Sequence, residues 1–328
     1  MKAIQVQQLG GPAQLQLTDV PDPAAGPDDA IVEVKFCGVN FIDVYFRSGL
    51  YKVDLPFIPG NEASGVVHAV GAGVRNVKPG DRVAYAMTRG SYAELARVPA
   101  AQLVKIPDSV SFEQAAAAML QGMTAHYLTH STFPLQAGQI ALVHAAAGGA
   151  GALIVQMAKL CGATVFGTAG SPEKLEVARA AGCDAAINYN TEDFEAEVKR
   201  LTNNRGVDVV YDSVGQSTFL KGLNIIRPRG MMVLFGQSSG PVAPFDPNIL
   251  NPKGSLYLTR PSLGQYTATR EELDWRAGDV LCWVGEGKLK LRIDRIYPLA
   301  DAGQAHRDLE SRKTAGKLLL KIVDDAPG

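Results

Sequence analysis

Cysteine is scarce. The 328 residues hold four (Cys37, Cys161, Cys183 and Cys282), far apart and with no C-x-x-C pair, which argues against a disulfide framework. Cys161 and Cys183 fall in segments that read as buried, so free thiols in a reducing compartment are expected. Excess charge of one sign is missing too. The balance of 32 basic against 33 acidic side chains removes the electrostatic case for a nucleic acid or an anionic membrane surface. No apolar run approaches the roughly 18 residues of a membrane span, and Met1-Lys2-Ala3-Ile4 opens a strand-like segment, not a leader or a lipidation site. Repeats and low-complexity stretches are absent. The chain reads as cytoplasmic, with small molecules as its partners. What is plentiful is apolar residues, at 46%, and glycine, with 34, in a chain long enough for two domains.

The stretch Ile140–Cys161 organises the rest. Ile140 to His144 is a short apolar run, the signature of a strand buried on both faces. From Ala150 the apolar residues Leu153, Val155, Met157 and Leu160 recur at helical spacing until Gly162 stops them. Between strand and helix, Ala146, Gly148 and Gly151 fit G-x-G-x-x-G with alanine in first place. Gly148 lets the backbone approach a pyrophosphate, Gly151 lets the helix pack on the strand, and the helix N-terminus offers N–H groups to phosphate. A glycine string alone could be any tight strand-to-helix turn; its position between strand and helix is what points to a dinucleotide.

Around this unit the period of the chain changes twice. Up to about Lys105, short strands (Ala3–Val6, Leu15–Leu17, Ala30–Gly38, Glu62–Val70, Asp81–Ala86) separated by Gly/Pro turns predict a mostly β, barrel-like unit. A helix over Ser111–Thr129 follows, with Ser111 and Gln114 placed for a capping box. Then strands (Ile140–His144, Thr164–Thr168, Ala185–Asn188, Val207–Tyr211, Met231–Phe235 and one near Ser255–Leu258) alternate with helices (Pro172–Ala181, Thr191–Leu201, Ser217–Ile226). This predicts an α/β, doubly wound parallel sheet. After Pro261 come a helix Arg270–Glu286, an extended Leu291–Tyr297, a helix Ala300–Arg312 and a closing strand Lys317–Val323. The simplest division is 1–123 as the first part of a catalytic domain, 124–260 as an inserted nucleotide domain, and 261–328 as the return of the first. The cleft between the domains is then the expected site.

NAD-binding versions of this fold carry an Asp or Glu at the end of the second strand. Here that strand ends Thr168-Ala169-Gly170-Ser171-Pro172-Glu173-Lys174, with small residues where the carboxylate would stand and Lys174 one turn into the next helix. Tyr189, after the third strand, can reach the same place. An ordinary surface lysine is the plainer account of Lys174 by residue type, but its position favours a 2′-phosphate partner and hence NADPH over NADH. Glu173 is the one carboxylate nearby, and a helix beginning at Pro172 should point it away.

The segments V-K-F-C-G-V-N-F-I-D (34–43), P-F-I-P-G-N-E-A-S-G-V-V (56–67), H-A-A-A-G-G-A-G (144–151), F-G-Q-S-S-G (235–240), L-N-P-K-G-S-L-Y-L-T-R-P-S-L (250–263) and L-E-S-R-K-T-A-G-K (309–317) run through nearly the whole chain. In this order they resemble the NADPH:quinone oxidoreductase (zeta-crystallin-like) family of the medium-chain dehydrogenase/reductase superfamily, most closely its bacterial members. The resemblance implies a Rossmann domain inserted in a GroES-like barrel domain. Where zinc dehydrogenases of that superfamily place Cys, His and Cys on a metal, this chain has Asn40, Asn61 and Gln121. Carboxamides are poor zinc ligands, so no metal is expected. His126, His130 and His144 lack partners at ligand spacing and read as structural.

The resemblance further implies that Asn40, Asp43, Tyr45 and Tyr51 lie near the reacting centre. It places Thr124, Gly148, Gly149, Ala150, Gly151, Ser171, Lys174, Tyr189, Ser213, Phe235, Gly236, Ser238 and Arg312 on the cofactor. For Arg312 an ion pair with Glu310 or Asp308 is the alternative; for Tyr45 and Tyr51 it is packing at a domain edge. Hydride or single-electron transfer from NADPH to a quinone is the implied reaction, and a homodimer through the Rossmann domain the implied assembly. Two alternatives remain open: an NADPH-dependent reductase of activated C=C bonds (enals, enones, enoyl thioesters), or a non-enzymatic structural or RNA-binding role as in zeta-crystallins.

Overall fold

In the computed structural model, which describes residues 1–322, the chain forms two units, Met1–Met123 with the segment from Thr267 onward, and Thr124–Tyr266. The second is built on a six-stranded, wholly parallel sheet. Its strands lie in the order Ala185–Asn188, Thr164–Ala169, Ile140–Val143, Val207–Asp212, Ile226–Leu234, Tyr257–Thr259. Numbered along the chain this is 3-2-1-4-5-6, the doubly wound arrangement, in which the winding reverses between the first and fourth strands. Strand interiors are apolar on both faces (Leu142, Phe166, Val210, Met232), as a sheet covered by helices requires.

Helix Gly149–Leu160 follows the first strand and Pro172–Ala181 the second, the latter stopped by Gly182 at φ 113°. The helix expected over Ser217–Ile226 is much shorter, Phe219–Gly222. The fifth strand starts early because Ile225 already accepts from Val207 N–H at 2.8 Å. Similarly, the helix expected from Thr191 begins only at Phe194, with Asp193 as its cap.

The other unit carries a seven-stranded sheet running Ile293–Pro298, Lys317–Lys321, Asp29–Val39, Glu62–Val70, Arg82–Ala86, Val104–Lys105, with Leu95–Pro99 paired to Asp29–Val39 beside Glu62–Val70. Lys317–Lys321 lies antiparallel to Asp29–Val39, with Leu318 opposite Val39. The C-terminal segment thus joins the sheet of the N-terminal one, and the Rossmann unit is an insertion in a β-rich unit. The expected end of the last strand, at Val323, lies outside the described residues. The core of this unit is largely β-branched and aromatic (Val32, Val34, Val83, Tyr85 and Tyr92), with Leu320 packed among them.

Elements not expected from the sequence include the strands Leu95–Pro99 and Val104–Lys105 and the short helix Leu263–Tyr266. The helix Phe41–Arg47 sits in what looked like an all-β region, started by Asp43, whose carboxylate accepts the Asn40 N–H at 2.9 Å. The capping box expected at Ser111 is present: Gln114 N–H donates to the Ser111 hydroxyl at 3.1 Å and Ser111 N–H to the Gln114 side chain at 3.0 Å. That helix, Phe112–Tyr127, carries the chain from one unit into the other and ends in a wider turn, Leu128–Thr132. Of the cysteines, Cys37 is buried, Cys161 and Cys183 are only half-buried, and Cys282 is exposed; all four are free thiols.

Candidate functional site

In the Rossmann unit the residues named for the cofactor, Thr124 apart, collect at the carboxyl ends of the strands. The first strand leads into a tight turn in which Ala145 takes φ 53°, and the helix starts at Gly148 without a side-chain cap. Its first N–H groups therefore have no intrahelical partner and carry the positive end of the helix dipole. Gly148, Gly149 and Ala150 are half-exposed on this turn, whereas Gly151 is buried. A Cβ at Gly151 would stand 2.3 Å from the Ala145 carbonyl oxygen, so only glycine lets the helix come this close. His144, just before the turn, is buried with Nδ1 2.9 Å from the Thr168 hydroxyl; burial pushes its pKa down, so it sits neutral within the packing.

At the second strand, Gly170 passes under the ring of Tyr189; an added Cβ would lie 2.7 Å from the phenolic oxygen. Ser171 caps the next helix, accepting from Lys174 N–H at 3.4 Å. Glu173 does not turn away. A hydrogen bond from Ser171 holds its carboxyl below the usual range, which puts a negative charge beside the pair expected to meet a 2′-phosphate.

The loops after the fourth and fifth strands are fastened to each other. Asp212, fully buried, accepts from Val214 N–H (2.7 Å), Gly215 N–H (3.0 Å) and the Thr218 hydroxyl (2.8 Å). Ser238 N–H donates to the Ser213 carbonyl at 3.1 Å, and Gly236 lies so close to Ser213 that a Cβ would meet its carbonyl oxygen at 2.7 Å. Ser213, Phe235, Gly236 and Ser238 thus form one double-loop rim, half-exposed throughout. Asp212 holds this rim and was not singled out beforehand. Thr124 is buried near the start of this unit, and Arg312 belongs to the other one, in a left-handed turn (φ 57°) after helix Ala302–Glu310. Of the two acids suggested for it, Glu310 reaches Arg47 at 2.8 Å and Asp308 the Tyr297 hydroxyl at 2.6 Å.

In the barrel unit Asn40 and Gln121 meet beside a charged group the sequence did not announce, while Asn61 turns to Asp43. Lys317, from the last strand, is buried and donates from Nζ to Asn40 Oδ1 at 2.7 Å and to Glu62 Oε2. Asn40 Nδ2 donates to the same Glu62 oxygen at 2.9 Å and to the Gly38 carbonyl at 3.3 Å; Gln121 Nε2 reaches Asn40 Oδ1 at 3.5 Å. The second oxygen of Glu62 accepts from Leu120 N–H. Gly38 leaves room for the ion pair, since a Cβ there would fall 2.0 Å from Glu62 Oε2.

Asp43 continues the network. It accepts from Asn61 Nδ2 at 2.6 Å and, more weakly, from the Tyr92 hydroxyl at 3.4 Å; Tyr92 in turn meets His306 Nε2 at 3.1 Å, and His306 Nδ1 lies 3.3 Å from Arg47. Burial raises the Asp43 carboxyl to about 6 against the pull of Asn61, Asn40 and Lys317. Burial, helped by Arg47, pushes His306 down to about 3. Tyr45 and Tyr51 lie beside this network on an aromatic surface, ring centroids 5.3 Å apart.

This geometry decides whether zinc fits. Three carboxamide-bearing residues and a buried ammonium are not a zinc donor set. Among the described residues, no group of three or more His, Cys, Asp or Glu side chains is placed to hold a metal ion.

Comparison with known proteins gives the lineage. Residues 26–108 match the alcohol dehydrogenase GroES-like domain and residues 149–276 the zinc-binding dehydrogenase domain. The chain is 43% identical over 321 residues to a quinone oxidoreductase of Pseudomonas aeruginosa, covering 97% of this chain and 99% of that protein. It belongs to the quinone oxidoreductase family. The Escherichia coli family member, solved in complex with NADPH, superposes with a TM-score of 0.96 at 42% identity, covering 98% of this chain and 100% of that one. A 2-haloacrylate reductase of a Burkholderia species is 38% identical over 96% of this chain and 97% of its own length. This member of the family therefore combines the two domain types with a buried lysine–glutamate pair beside Asn40. No described helix is long and apolar enough to cross a membrane.

Proposed function

We propose that the chain is an NADPH-dependent quinone reductase that works without a metal. The observation that carries this reading is the buried Lys317 ammonium on Asn40 and Glu62. Asn40, which the resemblance sets at a ligand position of the zinc enzymes, is a carboxamide already hydrogen-bonded to that ammonium, so the barrel unit suits an acceptor whose own ring takes up negative charge better than an alcohol, whose alkoxide must be stabilised. NADPH, when bound, supplies the hydride or electrons; the residues described here bind, orient and exclude water.

On the Rossmann unit the uncapped N-terminus at Gly148–Gly151 takes the pyrophosphate, and Ser171, Lys174 and Tyr189 the 2′-phosphate. The rim of Ser213, Phe235, Gly236 and Ser238 takes the nicotinamide half, with Thr124 and Arg312 as further contacts. Both ends of the Asn40 carboxamide are already engaged, so its part is to position its neighbours; Asp43 does the same through Asn61 and Tyr92. Tyr45 and Tyr51 are the residues that flank a flat aromatic acceptor. The edge strand Tyr257–Thr259 leaves Tyr257 and Leu258 exposed, a surface suited to a homodimer through this unit.

A second reading, reduction of activated C=C bonds, is favoured by the 38% identity to 2-haloacrylate reductase. Parallel turnover of 1,4-benzoquinone, 9,10-phenanthrenequinone and 2-alkenals, each with NADPH and with NADH, separates the two. Quinone reduction that prefers NADPH is expected. Alkenal turnover exceeding that of both quinones would transfer the assignment to the second reading.

A further inference from the structure

The aromatic surface that carries Tyr45 and Tyr51 also carries a cation. Arg89 is exposed, and its guanidinium carbon lies 4.1 Å from the ring centroid of Phe46 and 5.8 Å from that of Phe57. Phe46 packs edge-on to Tyr51 (5.6 Å), and Tyr51 to Tyr45 (5.3 Å). The guanidinium thus borders the rings proposed to flank the acceptor.

Its position is built. Met87 N–H donates to the Asn61 carbonyl at 2.7 Å and Gly90 N–H to the Gly60 carbonyl at 3.0 Å, so both sides of the Arg89 loop are anchored beside the Asn61–Asp43 pair. Met87 (φ 66°) and Gly90 (φ 109°) hold the left-handed conformations that this tight loop demands. Among the described residues the guanidinium forms neither an ion pair nor a hydrogen bond. The guanidinium carries its N–H donors in its own plane, in the fork that matches a carboxylate or sulfonate. Shielding Phe46 from water needs no such charge.

We propose that Arg89 is a specificity residue of the acceptor site, selecting quinones that bear an anionic group, carboxylate or sulfonate, beside the reducible ring. The inference rests on the quinone-reductase reading, because that reading places the acceptor against Tyr45 and Tyr51.

The test is the ratio of kcat/KM for 1,2-naphthoquinone-4-sulfonate to that for 1,2-naphthoquinone, with NADPH, in wild type, Arg89→Leu and Arg89→Lys. A ratio taken within one protein cancels losses from misfolding. The ratio should fall about tenfold in Arg89→Leu and less in Arg89→Lys, the scale of a charge-assisted hydrogen bond at a partly solvated site. In wild type it should also fall as salt is raised, while in Arg89→Leu it should hardly respond. An Arg89→Leu ratio within twofold of wild type, with both quinones reduced, overturns this inference and leaves the quinone reading standing. Failure of the wild type to reduce either quinone overturns the quinone reading, and this inference with it.

Discussion

Around Asn40 in the barrel unit, polar groups are turned towards one another: Lys317, Glu62, Asn40, Asp43, Tyr92, His306 and Arg47 form a buried chain in which each meets the next, Asn40 reaching Asp43 through its backbone N–H, and Asn61 joins it at Asp43. At the strand ends of the Rossmann unit the helix at Gly148 begins uncapped instead, while the rims of Ser213 and Ser238 are tied to each other by backbone. The first arrangement fixes geometry and leaves little free to bind. The second leaves backbone groups for a ligand to complete. A saturated network is sensitive to the loss of any one member, because the partner left behind is buried and charged. A ligand site loses affinity group by group.

The largest expected effect breaks the saturated side. Lys317→Met strands the buried Glu62 carboxylate and should cost about 3–5 kcal/mol of stability. The double variant Lys317→Met/Glu62→Gln should recover much of it, as urea unfolding of the three proteins would reveal. Equal losses in the single and double variants would mean that the pair is not coupled.

On the open side, Gly151→Ala forces a Cβ against the Ala145 carbonyl. It should cost about 1–3 kcal/mol by overpacking and weaken NADPH and NADH alike, measured by thermal unfolding and by fluorescence titration. Lys174→Ala should weaken NADPH binding by about 1.5–3 kcal/mol and leave NADH nearly unchanged. Calorimetry showing equal losses for the two nucleotides would remove the 2′-phosphate from this lysine.

The smallest effect sharpens the comparison through pH. The Asp43 carboxyl, raised to about 6, contributes stability that is fully present below the ordinary carboxylate pKa of about 4 and is lost as pH rises through 6. His306, lowered to about 3, contributes stability that is present above about pH 6.5 and is lost as pH falls towards 3. From pH 6 to 4 the two oppose. Asp43→Asn leaves only the histidine, so its stability should fall more steeply over that range than wild type, by at most about 1.4 kcal/mol per pH unit. Parallel stability curves would show that Asp43 does not titrate there.

Local signals carried far. The alternation of strands and helices, the glycine turn ahead of Gly149–Leu160 and the capping box at Ser111 all depend on neighbours a few residues apart, so they could be read directly. The helix Phe41–Arg47 could not, because its seven residues are too few to show a period. Glu173 was misjudged because the rotamer that brings it to Ser171 is not written in residue order. The candidate residues Asn40 and Asp43 were found by resemblance, but what they touch was not.

By itself, then, the sequence determined the class of fold, the strand-to-helix turn that awaits a dinucleotide and the carboxamides where a metal would otherwise sit. Only the tertiary structure decided what those carboxamides touch. Lys317 is 277 residues from Asn40, and the two meet because the last strand pairs with Asp29–Val39. Periodicity and spacing report on a chain's near neighbours, whereas a buried charge is stable only where distant strands bring its partner to within a hydrogen bond.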